Sequence, residues 1–400
     1  MSFLAQGLLY PVMFVLVISV VIVIHELGHY WAGRYFGAAV ESFSMGFGRS
    51  IAEVKDKNNT RWRINWLPLG GFVNFVGEDG LIENDGHVPE RAGAAKNTID
   101  PDKPIGRPFM ELSPGARNVV ALAGPFSNFI LAIVIFAGIG MFLGDPVEEV
   151  TAVNVVEGSA AEEAGLEAGD VFLSVNGKTA DRRKLVLQEI KMSAGDPVAV
   201  IVDRNGAELA LSITPRRETR TNALGIKERT GFIGVELSIQ QIDRNRLGPF
   251  GAVSYGVTET WSTVTSSLEM LGRIITGKES VQQLSGPVSI ANVAGSMANS
   301  TLGVEEVSLG TRLMALAIQM IHLIAFISVA MGFFNLIPLP ILDGGVVVFN
   351  TYEALTGKGL SEDLLLKSKF VTLLFLAGLA IFITVGDFEE AGLLELFRGL

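Results

Sequence analysis

The chain has 400 residues, of which 49% are hydrophobic and 18% are charged, with a mean hydropathy of +0.41 and a formal net charge of −11. This composition is typical of a membrane protein, and the negative charge argues against a nucleic-acid partner. The chain has no cysteine, which excludes disulfides, thiolate chemistry and cysteine-bound metals. A metal site would therefore have to use histidine and carboxylate ligands.

The first apolar segment runs from near Leu4 to near Gly33, and no charged residue occurs between Phe3 and Ile24. It has neither a basic start nor an obvious small-x-small cleavage site, so we interpret it as an uncleaved transmembrane helix rather than a signal peptide. Its far end carries the sequence H-E-x-x-H, formed by His25, Glu26 and His29.

This motif predicts a metal site. On a helix, His25 and His29 project from the same face and can offer two imidazoles to one Zn²⁺, with Glu26 beside them as a general base. The alternative is a chance H-E-x-x-H on a soluble helix. The apolar surroundings disfavour it, because ionisable groups inside a membrane segment are costly and usually functional.

Three further segments are long enough to cross a bilayer core of about 30 Å. They are Val119–Leu143, Leu313–Leu336 and Phe370–Val385 with its flanks. Basic residues cluster after the first span, before the second, and between the third and fourth. By the positive-inside rule, the loop near residues 37 to 115 is cytoplasmic, whereas the N-terminus and the long middle segment lie outside.

The segment from about 146 to 238 is predicted to be a small soluble domain. It has an N-capped short helix beginning at Ser159, a strand that closes in the turn Asn176-Gly177, and a hairpin around Asn205-Gly206. An apolar strand between glycines follows, and its exposed N–H groups are candidates for holding a peptide carboxylate. These candidate residues are Gly231, Phe232, Ile233 and Gly234.

Residues 247 to 277 have apolar side chains at helical spacing. Two interpretations remain open for this helix: it lies at the membrane interface, or it packs against the outer domain.

A third metal ligand is predicted after the third span. Spans one and three run in the same direction, so both end at the cytoplasmic face. There Pro338 and Pro340 break the helix, and Gly344 lets the backbone fold closely. Asp343 can then reach the two histidines; the alternative for it is an ordinary turn after a helix. His322 lies too far along its helix and is interpreted as structural, and His87 as a surface residue.

With these residues, the sequence resembles the site-2 protease family of intramembrane zinc metalloproteases, and most of all its regulator-of-sigma-E branch. The resemblance covers nearly the whole chain. It depends on HELGH at 25–29, AGPFSN at 123–128, SGPVSI at 285–290, NLIPLPILDGG at 335–345, and a PDZ-like segment that ends in GFIGV.

The resemblance implies a polytopic α-helical membrane protein with four transmembrane helices, a cytoplasmic-side re-entrant β-loop around residues 61 to 75, and one inserted extracytoplasmic PDZ domain. The expected divisions are 1–36, 37–117, 118–144, 145–238 (PDZ), 239–311 (helical connector), 312–345 and 346–400. Asn335 is expected to help position the substrate backbone, with Gly70 and Gly71 in the β-loop. Asn128 is assigned to the same group, although an amide that packs helices is the alternative.

The family also implies a function: zinc-dependent cleavage of single-span membrane proteins in the bacterial inner membrane. The substrates are expected to be pre-trimmed by another protease, as an anti-sigma factor would be, or to be cut signal peptides. Two other classes compete with this hypothesis. One is a non-catalytic membrane adaptor with a PDZ domain and a structural metal. The other is a transporter that uses the histidines and Asp343 as an ion path.

Overall fold

A computed structural model describes residues 3–77, 103–180, 183–221, 227–277, 286–304 and 306–390; His87 lies outside them. The chain divides into two compact units. The first contains Met1–Ile135, Thr258–Thr265 and Ser289–Phe382, and the second contains Phe136–Val257, Ser266–Val288 and Ile383–Leu400.

The described residues form nine α-helices and ten strands, besides a short 3-10 turn at Phe109–Glu111. The helices are α1 Phe3–Tyr35, α2 Pro114–Phe142, α3 Ala160–Glu163, α4 Arg183–Met192, α5 Pro249–Ile275, α6 Pro287–Leu302, α7 Leu309–Asn335, α8 Asp343–Thr356 and α9 Glu362–Glu390. The strands are β1 Val40–Lys55, β2 Arg61–Phe75, β3 Asp145–Val155, β4 Val171–Val175, β5 Lys178–Thr179, β6 Val198–Arg204, β7 Ala207–Ile213, β8 Arg216–Thr221, β9 Lys227–Phe232 and β10 Val235–Asn245.

Four helices are long and apolar enough to cross a membrane, which confirms the predicted number. The candidate spans are Gly7–Tyr35, Pro114–Phe142, Leu309–Asn335 and Asp363–Val385. The last includes the flank before Phe370, where three consecutive leucines, Leu364–Leu366, continue the helix. An ordinary turn was the alternative for Asp343; this residue instead begins the 14-residue helix α8.

The core of the first unit surrounds α1. Val17 and Val21 of α1 are fully buried in a cluster with Ala298 of α6 and with Leu316 and Met320 of α7. A second cluster packs the end of α1 against β1 and the start of α2, through residues such as Tyr30, Phe43 and Val120. The helix with the H-E-x-x-H motif is therefore held on several sides.

Strands β1 and β2 pair in an irregular two-stranded sheet. The middle of β1 pairs twice, for example Ser44 with both Phe72 and Arg63, while its end pairs back from Lys55 to Arg61. Both strands therefore bend, and the end of β2 after Gly71 becomes an outer edge. Residues 61–75, for which a β-loop was predicted, form strand β2.

The second unit is built on a six-stranded sheet in the order β10-β3-β4-β6-β7, with β5 paired to β4, and a separate β8–β9 hairpin. The predicted local features of this region are confirmed. The Ser159 side chain accepts a hydrogen bond from the Glu162 amide at the start of α3. Asn176 and Asn205 have positive φ angles of 49° and 55°, as tight hairpin turns require. The sheet extends beyond the expected boundary at residue 238, to Asn245.

The prediction for Gly231, Phe232, Ile233 and Gly234 needs correction, because this segment is not one exposed strand. Strand β9 ends at Phe232, and β10 begins at Val235 after a bend in which Gly234 has a φ of +78°. Ile233 is buried, and a Cβ on Gly231 would lie 2.2 Å from the Ile190 carbonyl oxygen of α4. Helix α4 therefore covers this side of the segment.

Candidate metal centre

Three side chains from distant parts of the chain converge at the end of α1. The Nε2 atoms of His25 and His29 lie 3.1 Å apart. Asp343, the first residue of α8, has Oδ2 at 3.2 Å from the Nε2 of His25 and Oδ1 at 3.5 Å from the Nε2 of His29. The carboxylate therefore lies within contact distance of both histidines. Among the described residues, this is the one group of histidines and carboxylates with metal-ligand spacing.

The spacing fits a zinc ion. A tetrahedral site with ligand distances of about 2.0 to 2.1 Å has ligand atoms about 3.3 Å apart, and the observed separations are 3.1, 3.2 and 3.5 Å. The Oδ2 atom of Asp343 is buried without a hydrogen bond of suitable geometry, although His25 is near. A buried anionic oxygen is costly when it is left unpaired, and a cation between the three groups would satisfy it.

The far side of His29 is fixed by α2. Its Nδ1 donates a hydrogen bond to the Val120 carbonyl oxygen at 2.8 Å. That bond places the ring proton on Nδ1 and leaves the Nε2 lone pair directed at Asp343. Histidines that bind metals usually donate their second N–H to such a backbone or carboxylate acceptor, which raises their basicity.

Asn128 contacts the Nδ1 of His25, on the other side of the ring from Asp343. This asparagine is fully buried on α2, with its amide Nδ2 at 3.2 Å from the Nδ1 of His25 and its Oδ1 without a hydrogen-bond partner. The oxygen and nitrogen of an amide are exchanged by a 180° rotation and are assigned from their hydrogen bonds. With Oδ1 facing His25, the amide oxygen accepts a hydrogen bond from the Nδ1–H of His25, and the Nε2 of His25 is free to bind a metal. Asn128 was grouped with the substrate-binding residues, but the structure places it against a candidate ligand.

Two glycines make room for the histidines. A Cβ on Gly124 of α2 would lie 2.2 Å from the Nε2 of His29, and a Cβ on Gly28 of α1 would lie 2.3 Å from the Ala123 carbonyl oxygen. Larger residues at either position would push the two helices apart. Ser127, also on α2, joins them by donating a hydrogen bond to the Ile24 carbonyl oxygen at 2.8 Å.

Strand β2 runs alongside α1 and passes Glu26. The Ser19 hydroxyl donates a hydrogen bond to the Pro68 carbonyl oxygen at 3.2 Å, and a Cβ on Gly71 would lie 3.7 Å from the Cγ of Glu26. Gly70 has a φ of +95° and lies against the Phe47 ring, so a side chain there would be strained. The glycine pair thus allows the strand to approach the catalytic candidate closely.

Asp56 anchors the β1–β2 turn to α1. Its carboxylate accepts hydrogen bonds from the amides of Asn58 and Thr60, from the Tyr30 hydroxyl and from the Trp62 indole. Burial acts to raise the pKa of Asp56, but these hydrogen bonds outweigh it and lower the pKa. Because Tyr30 follows His29 directly, this anchor fixes the sheet relative to the metal centre.

The other predicted site residues lie elsewhere. Asn335 is the half-buried last residue of α7, and the carbonyl oxygens of the two residues after it pack against Gly344. Gly231, Phe232, Ile233 and Gly234 belong to the second unit. His322 is exposed on α7 and is not among the grouped ligands. Sequence reasoning missed Val120, Gly124 and Ser127; the cluster of small residues in an apolar span was a signal for close helix packing.

The comparisons with known proteins agree with this geometry. The model of peptidase family M50 matches residues 13–379. A protein of Agrobacterium fabrum whose name describes it as a candidate zinc metalloprotease is 33% identical, over 95% of this chain and 96% of its own length. The metalloprotease MmpA of Caulobacter vibrioides is also 33% identical, over 96% of each chain. The chain therefore belongs to peptidase family M50 and is a zinc metalloendopeptidase with membrane-spanning helices.

Proposed function

We propose that this protease hydrolyses peptide bonds within the transmembrane segments of single-span membrane proteins. The proposal rests on one observation: Asp343 meets His25 and His29 on α1, and α1 has the length and composition of a membrane span. A substrate helix that diffuses in the bilayer can approach such a helix laterally. A soluble substrate lacks this route of access.

His25, His29 and Asp343 would hold the zinc ion, and Val120 and Asn128 would orient the two imidazoles. When bound, zinc supplies the Lewis acid that activates water and polarises the scissile carbonyl. Three protein ligands leave one tetrahedral position for the reaction, which is the arrangement typical of catalytic rather than structural zinc. This ligand number supports an enzyme over an adaptor with a structural metal.

Glu26 would act as the general base. It follows His25 directly and is only partly buried on α1, so that it can exchange protons at the site. In the proposed reaction it accepts a proton from the attacking water and later gives that proton to the leaving amine. A structural site has no need for a carboxylate in this position.

The β1–β2 sheet would present the substrate. The peptide carbonyls of a helical substrate are hidden in backbone hydrogen bonds, so cleavage requires local unwinding. Within the described residues, the end of β2 after Gly71 pairs with β1 alone, and it lies beside Glu26. An unwound substrate segment can add to this edge as a further strand. Gly70 and Gly71 would then contact the substrate backbone, with Asn335 as a further polar contact.

The wider role follows from the predicted orientation. The basic loops predict that the N-terminus and the inserted domain are periplasmic in a bacterial inner membrane. A PDZ-like domain there would exclude substrates that have not been trimmed outside by another protease. We accordingly propose the second cut of regulated intramembrane proteolysis, with anti-sigma factors and remnant signal peptides as the candidate substrates.

The test uses the full chain in detergent with a tagged single-span reporter. Bound zinc and reporter cleavage are measured for the wild type and for Glu26→Gln. We expect about one zinc per chain in both proteins and cleavage in the wild type alone, because the amide cannot accept a proton. The position of the cut is read by mass spectrometry of the fragments.

Three outcomes would contradict parts of this proposal. Cleavage at the wild-type rate by Glu26→Gln would remove Glu26 as the base. Cleavage outside the reporter's apolar segment would contradict the intramembrane assignment. Zinc binding without cleavage of the reporter or of a signal-peptide substrate would favour the adaptor.

A further inference from the structure

The position of Asp343 depends on how α8 is docked. Asp343 is the first residue of this helix, and the residue before it, Leu342, provides no side-chain cap. The next two residues are tightly enclosed: a Cβ on Gly344 would lie 2.3 Å from the Leu336 carbonyl oxygen, and one on Gly345 would lie 2.1 Å from that of Leu339. A tilt of α8 would therefore move the Asp343 carboxylate directly.

The opposite end of α8 is bound to the beginning of α2. Arg117, only 3% exposed, donates a hydrogen bond from Nη2 to the Oε1 of Glu353 at 2.6 Å. Beside this ion pair, the Asn118 amide donates to the Thr351 hydroxyl at 3.0 Å. Glu353 is ten residues from Asp343, which is about 15 Å along the helix axis. The two contacts therefore fix the C-terminal end of α8, whereas the candidate ligand Asp343 lies at its N-terminal end.

Neither charge suits its own helix. Arg117 is in the first turn of α2, where the macrodipole disfavours a cation, and Glu353 is in the last turn of α8, where it disfavours an anion. Arg117 also loses most of its hydration. A buried ion pair is a weak source of stability compared with apolar packing, and its best-attested use is to fix a register.

Helix α2 also contacts both histidines of α1. Val120, which accepts the His29 hydrogen bond, follows Arg117 by three residues, and Asn128 lies further along the helix. The ion pair thus joins the helix that orients His25 and His29 to the helix that carries Asp343. The hydrogen bond of Asn118 with Thr351 joins the same two helices.

We propose that Arg117 and Glu353 are positioning residues for the metal centre. Their ion pair sets the orientation of α8 on α2 and so brings the Asp343 carboxylate to the two imidazoles. This inference rests on the proposed assignment of His25, His29 and Asp343 as the zinc ligands.

The experiment measures the zinc dissociation constant of the full-length protein in detergent by competition with a chelating dye. The variants are Glu353→Gln, Arg117→Gln and the charge swap that combines Arg117→Glu with Glu353→Arg. We expect each single variant to raise the dissociation constant about tenfold, the lower end of the effects of outer-shell residues. The swap should return it to near the wild-type value, because it restores the pair and places both charges at the helix ends that favour them.

Three controls separate positioning from general stability and from failure of the zinc site itself. Asp363→Asn breaks the exposed Asp363–Lys367 pair on α9 and should leave zinc binding unchanged. The thermal unfolding of the metal-free protein is measured for each variant, because Glu353→Gln leaves the buried Arg117 without its partner and should itself destabilise the protein; the inference requires weaker zinc binding at a temperature at which the variant is fully folded. His25→Ala should abolish tight binding; if it does not, the proposed ligand set is wrong, whatever the other variants do.

With His25→Ala behaving as expected, two results would overturn the inference. One is an unchanged zinc affinity in both single variants. The other is a charge swap that binds zinc no better than the single variants, since the pairing would then not be what matters.

Discussion

Buried polar side chains are arranged differently at the metal centre and in the sheet of the second unit. In the sheet, Asp170 is fully buried, but its carboxylate accepts two hydrogen bonds from Arg204 at 2.7 Å and one from the Glu167 amide at 2.9 Å. Glu189 likewise binds Lys178 and Asn176. At the metal centre, the Oδ2 of Asp343 is buried without a hydrogen bond of suitable geometry.

This difference separates two uses of buried polarity. A satisfied network stabilises one conformation, whereas a buried carboxylate oxygen without a hydrogen bond lowers stability until a cation binds. Changes at the metal centre should therefore affect zinc binding and catalysis more than stability. Changes at Asp170 should affect stability alone.

The largest effect is expected for Gly124→Ala. The new Cβ would lie 2.2 Å from the Nε2 of His29 and 2.9 Å from the Cε1 of His25, so both imidazoles must move. A shift of about 1 Å at a catalytic site costs about 100-fold in rate. The fraction of protein that retains zinc should fall as well. The matched control is Gly138→Ala on the same helix, where a Cβ meets no atom within 4 Å. Equal activity in the two variants would contradict the proposed role of His29.

The next effect is expected at Asn128. Asn128→Ala removes the acceptor for the His25 ring proton and should raise the zinc dissociation constant by about 10- to 100-fold. Asn128→Asp keeps an acceptor and should bind zinc more tightly than Asn128→Ala. If the aspartate variant bound more weakly than the alanine variant, the amide would be acting through its nitrogen, and the assigned orientation would be wrong.

A smaller and different effect is expected for Asp170→Asn. Loss of the charged hydrogen bonds should destabilise the second unit by about 2 kcal/mol, seen as faster hydrogen exchange of the β4 and β6 amides. Zinc content and cleavage should stay at wild-type levels. Glu163→Gln, which breaks the exposed Arg216–Glu163 pair, is the control and should change exchange little. Loss of zinc from Asp170→Asn would contradict the separation of the two roles.

The stability of the second unit should also depend on pH through Asp170. The hydrogen bonds from Arg204 lower the pKa of Asp170 below its ordinary value of 3.8, against the opposing effect of burial. Because the folded-state pKa is the lower one, this stabilisation is complete above pH 3.8 and is lost as the pH falls through the folded value. Exchange protection, corrected for intrinsic rates, should fall in that window and fall less in Asp170→Asn.

The sequence predicted the parts of the site that follow from local geometry or from span direction. His25 and His29 share a helix face because they are four residues apart, and Asp343 was assigned because spans one and three end at the same membrane face. The hairpin turns at Asn176 and Asn205 were likewise local. The histidine pair and the turns needed only residue type and periodicity, whereas Asp343 also needed the direction of the spans.

The remaining contacts are tertiary and could not be predicted in this way. Asn128 lies 103 residues from His25, and Arg117 lies 236 residues from Glu353. The bend between β9 and β10 and the packing of α4 against Gly231 were not predicted for the same reason, because neither has a local signal in the sequence. An arginine at the beginning of an apolar span was the one available hint that α2 binds an acidic partner.

The central claim is that two histidines and one aspartate hold the catalytic zinc. The most direct test is zinc X-ray absorption of the full-length protein in detergent, compared with Asp343→Ala. We predict two imidazole ligands and oxygen ligands at about 2.0 to 2.2 Å in the wild type, with one oxygen lost or replaced by water in the variant, accompanied by weaker binding. Three or more imidazoles, or a spectrum and affinity that Asp343→Ala leaves unchanged, would contradict the claim.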